Sequence, residues 1–435
     1  MKPRRLTADF PFVGAFDALR GDLPGAPLAW VQDARRDALA RFQDEALPSR
    51  RVEAWKYTDL RALAATEFDV PAATVSEPLR TRAAAIGAAP APRLVIANGR
   101  FDPALSRLDS LPAGAGLLPM SAALDRHGDL LRKHLAHGLD GDGLAALNAA
   151  FMMDGYVLVV DAGARVDPVI EIVFVNDADK PAALHPRNVV VMGEGAHAVV
   201  AETHFGDGVY WSNPVTDIAL AQGASLHHYK TQTESAAAFH LAQARIALAG
   251  GARYQGFLAT TGARLSRHTV RARIDGAGAA CHLAGAYLVG AGQHCDIATD
   301  IDHAAGGSAS RQVFKGVLDG DGHGVFQGKV AVARDAQKTD AHQLNNALLL
   351  SDAAEIDAKP ELEIYADDVK CSHGATAGDL DENELFYLQA RGIGAAEARR
   401  LLVSAFVKAA LEEIPEDHRG RFEPLVDGWL EAPHV

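Results

Sequence analysis

The chain has 435 residues, a net charge of −14, 48% hydrophobic residues and three cysteines. That length can bury a large core without disulfides or a structural metal, and the acidity argues against nucleic-acid binding, which needs clustered Lys and Arg. No apolar run approaches the roughly 20 residues of a membrane span, and the start MKPRRLTADFPF lacks a secretory apolar segment, so a cytoplasmic protein with reduced Cys281, Cys295 and Cys371 is expected.

Residues 1–75 read as a helical domain. LAWVQDARRDALARFQDEAL spaces Leu28, Val31, Ala34, Ala38, Leu39 and Phe42 near a 3.6-residue period and stops at Pro48, before SRRVEAWKYTDLRAL. Residues 76–167 read as a mixed α/β connecting region. It opens with a Pro- and Ala-rich connection to about Pro92, continues with a strand in RLVIANGRFD that runs into the turn Asn98-Gly99, and reaches the strand-sized run YVLVV.

From about residue 168 to 378 the texture becomes short alternating strands broken by small-residue corners, as in VVVMGEGAHAVVAETH and DIALAQGASLHHYKTQ. Corners at Gly195, Gly223, Gly251, Gly278, Gly322 and Ala353 recur at intervals of 28, 28, 27, 44 and 31 residues, and the long interval has room for one more at Gly306-Gly307. Recurrence in this range marks a stacked array whose corners need positive φ. The expectation is therefore a mainly β chain with a parallel β-helix core over 168–378.

Residues 379–435 return to helix. Asp381 and Glu384 form a capping-box-like start for ENELFYLQARG, and AAEARRLLVSAFVKAALEEI carries Ala398, Leu401, Leu402, Ala405, Phe406 and Ala409 on one face. Val403, Val407 and Leu411 widen its apolar surface, which suggests burial on two sides, a partner, or a helix capping the open end of the solenoid.

Several motifs are tested and set aside. GHGVFQGKV nears a Walker loop, but His323 stands at its first Gly position and Val330 replaces the hydroxyl that would meet Mg²⁺. GEGAHA lacks the crossover helix of a dinucleotide site. QHCDIATDIDH gathers His294, Cys295, Asp296, Asp300, Asp302 and His303 without zinc spacing, and His227 and His228 should point to opposite faces of a strand.

ADDVKCSHGAT stands apart. If its strand continues, Cys371 and His373 share a face. A thiolate beside an imidazole suits iron or sulfur transfer, yet two ligands do not complete an iron–sulfur site. Spacing alone leaves two readings open: half of a shared site, or a buried thiol beside a hydrogen-bonded histidine.

The run from Lys338 to Ile393, KTDAHQLNNALLLSDAAEIDAKPELEIYADDVKCSHGATAGDLDENELFYLQARGI, closely resembles the carboxy-terminal core of the SufD family of iron–sulfur cluster assembly proteins. RRVEAWKYTDLRAL, LVIANGRFD and LNAAFMMDGYVLVV extend the resemblance over nearly the whole chain, and KCSHGAT separates it from the related SufB family. The resemblance implies a right-handed parallel β-helix flanked by N-terminal and C-terminal helical domains. It implies a non-catalytic scaffold that pairs with SufB through the β-helix, binds the SufC ATPase through the C-terminal helices, and supports cluster assembly and iron acquisition.

A nascent iron–sulfur cluster shared with the partner would involve His373 and its neighbour Cys371, and no nucleotide would bind this chain itself. Leu385, Phe386, Tyr387 and Phe406 are the expected ATPase anchors, since aromatic residues often dominate interfaces. A homodimer of the isolated chain is also anticipated, with no nucleic-acid or membrane partner. The competing readings are a solenoid enzyme acting on polysaccharide through Asp300 and Asp302, and a free-standing metal-binding protein.

Overall fold

A computed structural model describes residues 5–6, 9–87, 90–135 and 141–431. Its centre is a solenoid of two parallel sheets. Arg93–Ala97, Arg165–Leu184, His197–Ser212, Ser225–Glu234, Arg253–Thr260, Ala280–Val289, Ala309–Leu318, Asp340–Leu349 and Lys370–Gly378 pair in that order in the first sheet. Tyr156–Val160, Arg187–Met192, Val215–Leu220, Phe239–Leu248, Leu265–Ile274, His294–His303, His323–Val332 and Glu355–Ile364 form the second. From Arg165 onward the chain alternates between sheets, so each strand hydrogen-bonds to the one a full turn later, as a parallel pair requires. Parallel pairing thus reaches back to Arg93–Ala97, before the glycine-rich texture begins.

The expected corners are present, but they belong to two columns. Gly195, Gly223, Gly251, Gly278 and Gly307 line one edge with φ between 65° and 72°, and Lys338 continues the column at 64°. Gly195 donates to Gln222, Gly223 to Gly250, Gly251 to Ala277, Gly307 to Gln337 and Lys338 to Asp368, at 2.7–2.9 Å, so these five corners are each tied to the next. Gly307 is the corner missing from the long interval. Gly322 lies on the opposite edge, in the turn between Ala309–Leu318 and His323–Val332, and Ala353 lies one turn further on the same edge. The interval of 44 therefore spans one and a half turns, which explains its irregularity.

Alternation along each strand fills the interior. Leu226, Tyr254, Cys281, Ile297, Phe314, Phe326 and Val330 pack there, all nearly inaccessible to water. A polar band interrupts this core, where Glu202 accepts from Tyr156 at 2.6 Å and meets His228 at 3.0 Å and His204 at 3.1 Å. Buried charges persist only when paired in this way.

Helices cover the flanks. Ala29–Glu45, the helix expected from periodicity, buries Val31, Ala38 and Phe42. The Pro- and Ala-rich stretch proves more ordered than a connection: Pro78 sits in the first turn of a helix, Glu77–Ala85, where its missing N–H costs nothing. Leu79 and Ala83 from that helix pack on Val95, Val175 and Phe205.

The motif EAWKYTD is a clamp. Arg267 stacks 4.0 Å over Trp55, donates to the Ala54 carbonyl at 2.8 Å, and pairs with buried Asp296, which also accepts from Thr58. Asp296 therefore serves this ion pair, and its neighbour Cys295 points into the core; among the described residues neither belongs to a group that could hold a metal. At the other end the helix Ala395–Lys408 and its successors lie along the outer face of the first sheet. Val403, Val407, Ile414 and Phe422 pack there on Tyr229, Phe257, Ala286 and Val313. These helices flank the solenoid instead of capping its open end.

Two tests follow from this packing. Removing one partner of a buried pair strands the other charge, at about 3–5 kcal/mol, so Asp296→Ala should lower stability by about that amount, measured by denaturant unfolding. Burial also pushes His185 down to about 3 and His303 and His294 down to about 4. Their unfolded forms take up protons near pH 6.5 while the folded forms do not, so stability is full above that pH and lost as pH falls toward 4. The melting temperature should drop steadily across that window; a flat profile would mean that these histidines are charged in the folded protein.

Candidate functional site

The last turn of the solenoid holds the Cys-x-His pair. Lys370–Gly378 pairs with Asp340–Leu349 in the register Ala341 to Cys371 and Gln343 to His373. Ala341 and Gln343 face the interior and are 0% and 3% exposed. Cys371 and His373 therefore continue the lumenal face, as their spacing suggested, but no further turn covers them among the described residues. Cys371 is half-buried against the end of the core, and His373 is exposed, with no side-chain hydrogen bond or ion pair among the described residues. The histidine is free to meet something outside the chain.

The intervening Ser372 faces the other way, where its hydroxyl lies 2.6 Å from Nδ1 of His342, itself 2.6 Å from Asp340 through Nε2. Asp368 belongs to the corner: its carbonyl accepts from Lys338, and its carboxylate pairs with the same lysine. Partial burial pushes the Cys371 thiol above its ordinary value, and the Asp340 carboxylate acts in the same direction. Both effects favour the thiol over the thiolate, and a cation at the mouth would act the other way. Cys281 and Cys295 are pushed up to about 12 by burial.

Both sheets end in free strand edges here, and the two edges differ. Glu355–Ile364 carries Glu355, Asp357, Lys359, Glu361 and Glu363, together with Pro360, the devices that blunt an edge. Lys370–Gly378 reads KCSHGATAG, with a single charge and small residues. Leu344, Ile364 and Tyr365 add exposed apolar surface around this end, at 38%, 39% and 66%.

Only Asp379, Leu380 and Asp381 separate the last strand from the helix Glu382–Ala390, which Asp381 caps by accepting from Asn383. That helix buries no residue; Phe386 and Tyr387 are 71% and 56% exposed, while Leu385 is half-buried. Phe406 sits differently, packed toward the first sheet with Lys315 4.4 Å over its ring.

The remaining candidates separate. His228 turns inward to Glu202 and Tyr254, while His227 turns outward beside Tyr229, so the two do point to opposite faces. Gly322 and His323–Val332 form a corner and a strand, with no helix following to make a phosphate loop. Asp302 is held by Arg273 at 2.5 Å. No described helix is long and apolar enough to cross a membrane.

Residues 173–406 match the SufBD core domain of the SUF system for FeS cluster assembly, and residues 12–172 match the SufBD protein N-terminal region. The chain belongs to the SufBD family. It is 35% identical to an iron–sulfur cluster assembly SufBD family protein of Synechocystis over 85% of this chain and 84% of that one. It is 31% identical to the iron–sulfur cluster assembly protein SufD of Escherichia coli, over 85% and 86%. The iron–sulfur cluster assembly protein SufB of Bacillus subtilis is more distant, at 24% over 72% and 68%. The SufD-like assignment made on KCSHGAT agrees with this order, and the polysaccharide reading finds no support. This SufBD chain is a component of iron–sulfur cluster assembly.

The thiol environment can be checked directly. With iodoacetamide at neutral pH, native protein should label only at Cys371, more slowly than a free thiol of ordinary pKa near 8.5. The rate should climb above that pH. Rapid labelling of Cys371 at pH 7 would contradict the raised thiol.

Proposed function

We propose that this chain is a non-catalytic scaffold subunit whose open solenoid end docks on a SufB-type partner to form a shared cluster-assembly site. The observation that supports this most is the last strand: an unprotected parallel edge carrying on one face a half-buried thiol and a histidine unpartnered among the described residues. An incoming strand could extend the sheet through main-chain hydrogen bonds and supply the missing ligands. In this reading His373 donates to a nascent iron–sulfur cluster, with Cys371 beside it as a second donor or a sulfur carrier. A cluster held by one or two ligands from each side can be released by shifting the interface.

The exposed helix Glu382–Ala390 fits the role of a docking surface for a SufC-type ATPase. Phe386 and Tyr387 would be its main anchors, with Leu385 beside them, and Phe406 would support the helix from below. The nucleotide would then bind the ATPase and not this chain. Without its partner, the same open edge would pair two copies into a homodimer.

Co-expression with SufB-type and SufC-type proteins tests this reading. A stable complex is expected, and anaerobic assay should find iron and sulfide in it. Even outer partners of a metal are worth about tenfold, so His373→Ala should cut bound iron by at least that factor while the complex stays intact. Unchanged iron would remove the proposed role. Phe386→Ala and Tyr387→Ala should each weaken ATPase binding by about 2 kcal/mol, and failure to form any complex would overturn the scaffold assignment.

A further inference from the structure

A second group of donor side chains lies on the outer face of the second sheet. His323 and Glu355 are direct register partners on neighbouring parallel strands, and Asp357 follows two residues along the same face. One ligand atom from each of the three lies within 4.8 Å of the others. Nε2 of His323 is 2.9 Å from Asp357, whereas the Glu355 carboxylate has no hydrogen bond or ion pair among the described residues. The nearest lysine on that strand, Lys359, is already engaged by Glu53 at 2.6 Å and Glu361 at 3.2 Å.

This arrangement is short of positive charge. Two carboxylates stand near one imidazole that bonds only Asp357, and no lysine or arginine pairs with either among the described residues. The donors come from two strands locked in register, so their spacing is set by the ladder and not by flexible loops. The ring of His294 stacks edge-on against His323, 4.7 Å between centroids, and is itself held by the Thr58 hydroxyl at 3.0 Å, which limits the freedom of the His323 ring.

We propose that His323, Glu355 and Asp357 bind a divalent transition-metal ion of the zinc type, at a site separate from the Cys371 and His373 pair. One imidazole and two carboxylates suit such an ion, and three protein ligands leave a position for water. With metal–ligand bonds of about 2.0–2.1 Å, tetrahedral ligand atoms stand about 3.3 Å apart. To admit the ion, the hydrogen bond between His323 and Asp357 has to open by a few tenths of an ångström, and the exposed Glu355 carboxylate, within 4.8 Å, has to swing inward. Because His323 belongs to the turn before Glu355 and Asp357, the ion would fasten the last turn of the second sheet to the body of the solenoid. The site does not depend on the cluster-assembly reading.

The test uses the full-length chain without a histidine tag, stripped with a chelator and titrated with Co²⁺, whose visible absorption reports nitrogen and oxygen ligation. It is run on the unaltered protein and on the Cys371→Ser/His373→Ala variant. Both should bind one equivalent, Zn²⁺ should displace it, and the melting temperature should rise on binding. His323→Ala and Asp357→Asn, each checked for folding by circular dichroism, should weaken binding about tenfold or more. Loss of all binding in the Cys371→Ser/His373→Ala variant, no binding at all, or undiminished affinity in both site variants would overturn the proposal.

Discussion

A parallel solenoid satisfies its backbone by passing the obligation forward. Each strand lends its N–H and C=O groups to the strand one turn later, and the corners repeat the arrangement, Gly195 to Gln222 and Gly307 to Gln337. The scheme holds for every turn except the last, which has no successor. Everything of chemical interest at the open end follows from that unfilled place. The Cys371 and His373 column is lumenal by register and exposed only because nothing stacks above it.

The terminal units leave that place open. They attach sideways, through an apolar face on one flank and the Arg267 and Asp296 pair on the other, and none of their described residues stacks on the last turn. On the C-terminal flank Glu413 adds a polar tie, meeting Arg311 at 2.9 Å and His282 at 3.0 Å. Flank packing also brings the helices against several turns at once, which is how units that contact only their neighbours gain long-range order.

Much of this was legible in the residues because solenoids write their geometry in local patterns. Positive-φ corners demand glycine, so Gly195, Gly223, Gly251 and Gly278 appear at turn spacing, and period-two alternation put Cys371 and His373 on one face. What stayed hidden were relations between turns. Gly322 and Ala353 look like members of the first corner column because sequence shows spacing but not which edge a corner occupies. Lys338 fills a left-handed corner without glycine, so its place in the column carried no signal. His323 and Glu355 are direct neighbours only through the ladder, and nothing local brings them together. The role of Asp296 was equally invisible, since its partner Arg267 lies one turn away and Trp55 far upstream.

The short link from Gly378 to Glu382 carries one more consequence. Three residues cannot absorb much displacement, because an extended residue spans only about 3.3–3.6 Å. The exposed helix and the strand that bears Cys371 and His373 are thus joined by a tether of only three residues. A displacement of the helix beyond the reach of that tether has to be passed on to the sheet edge.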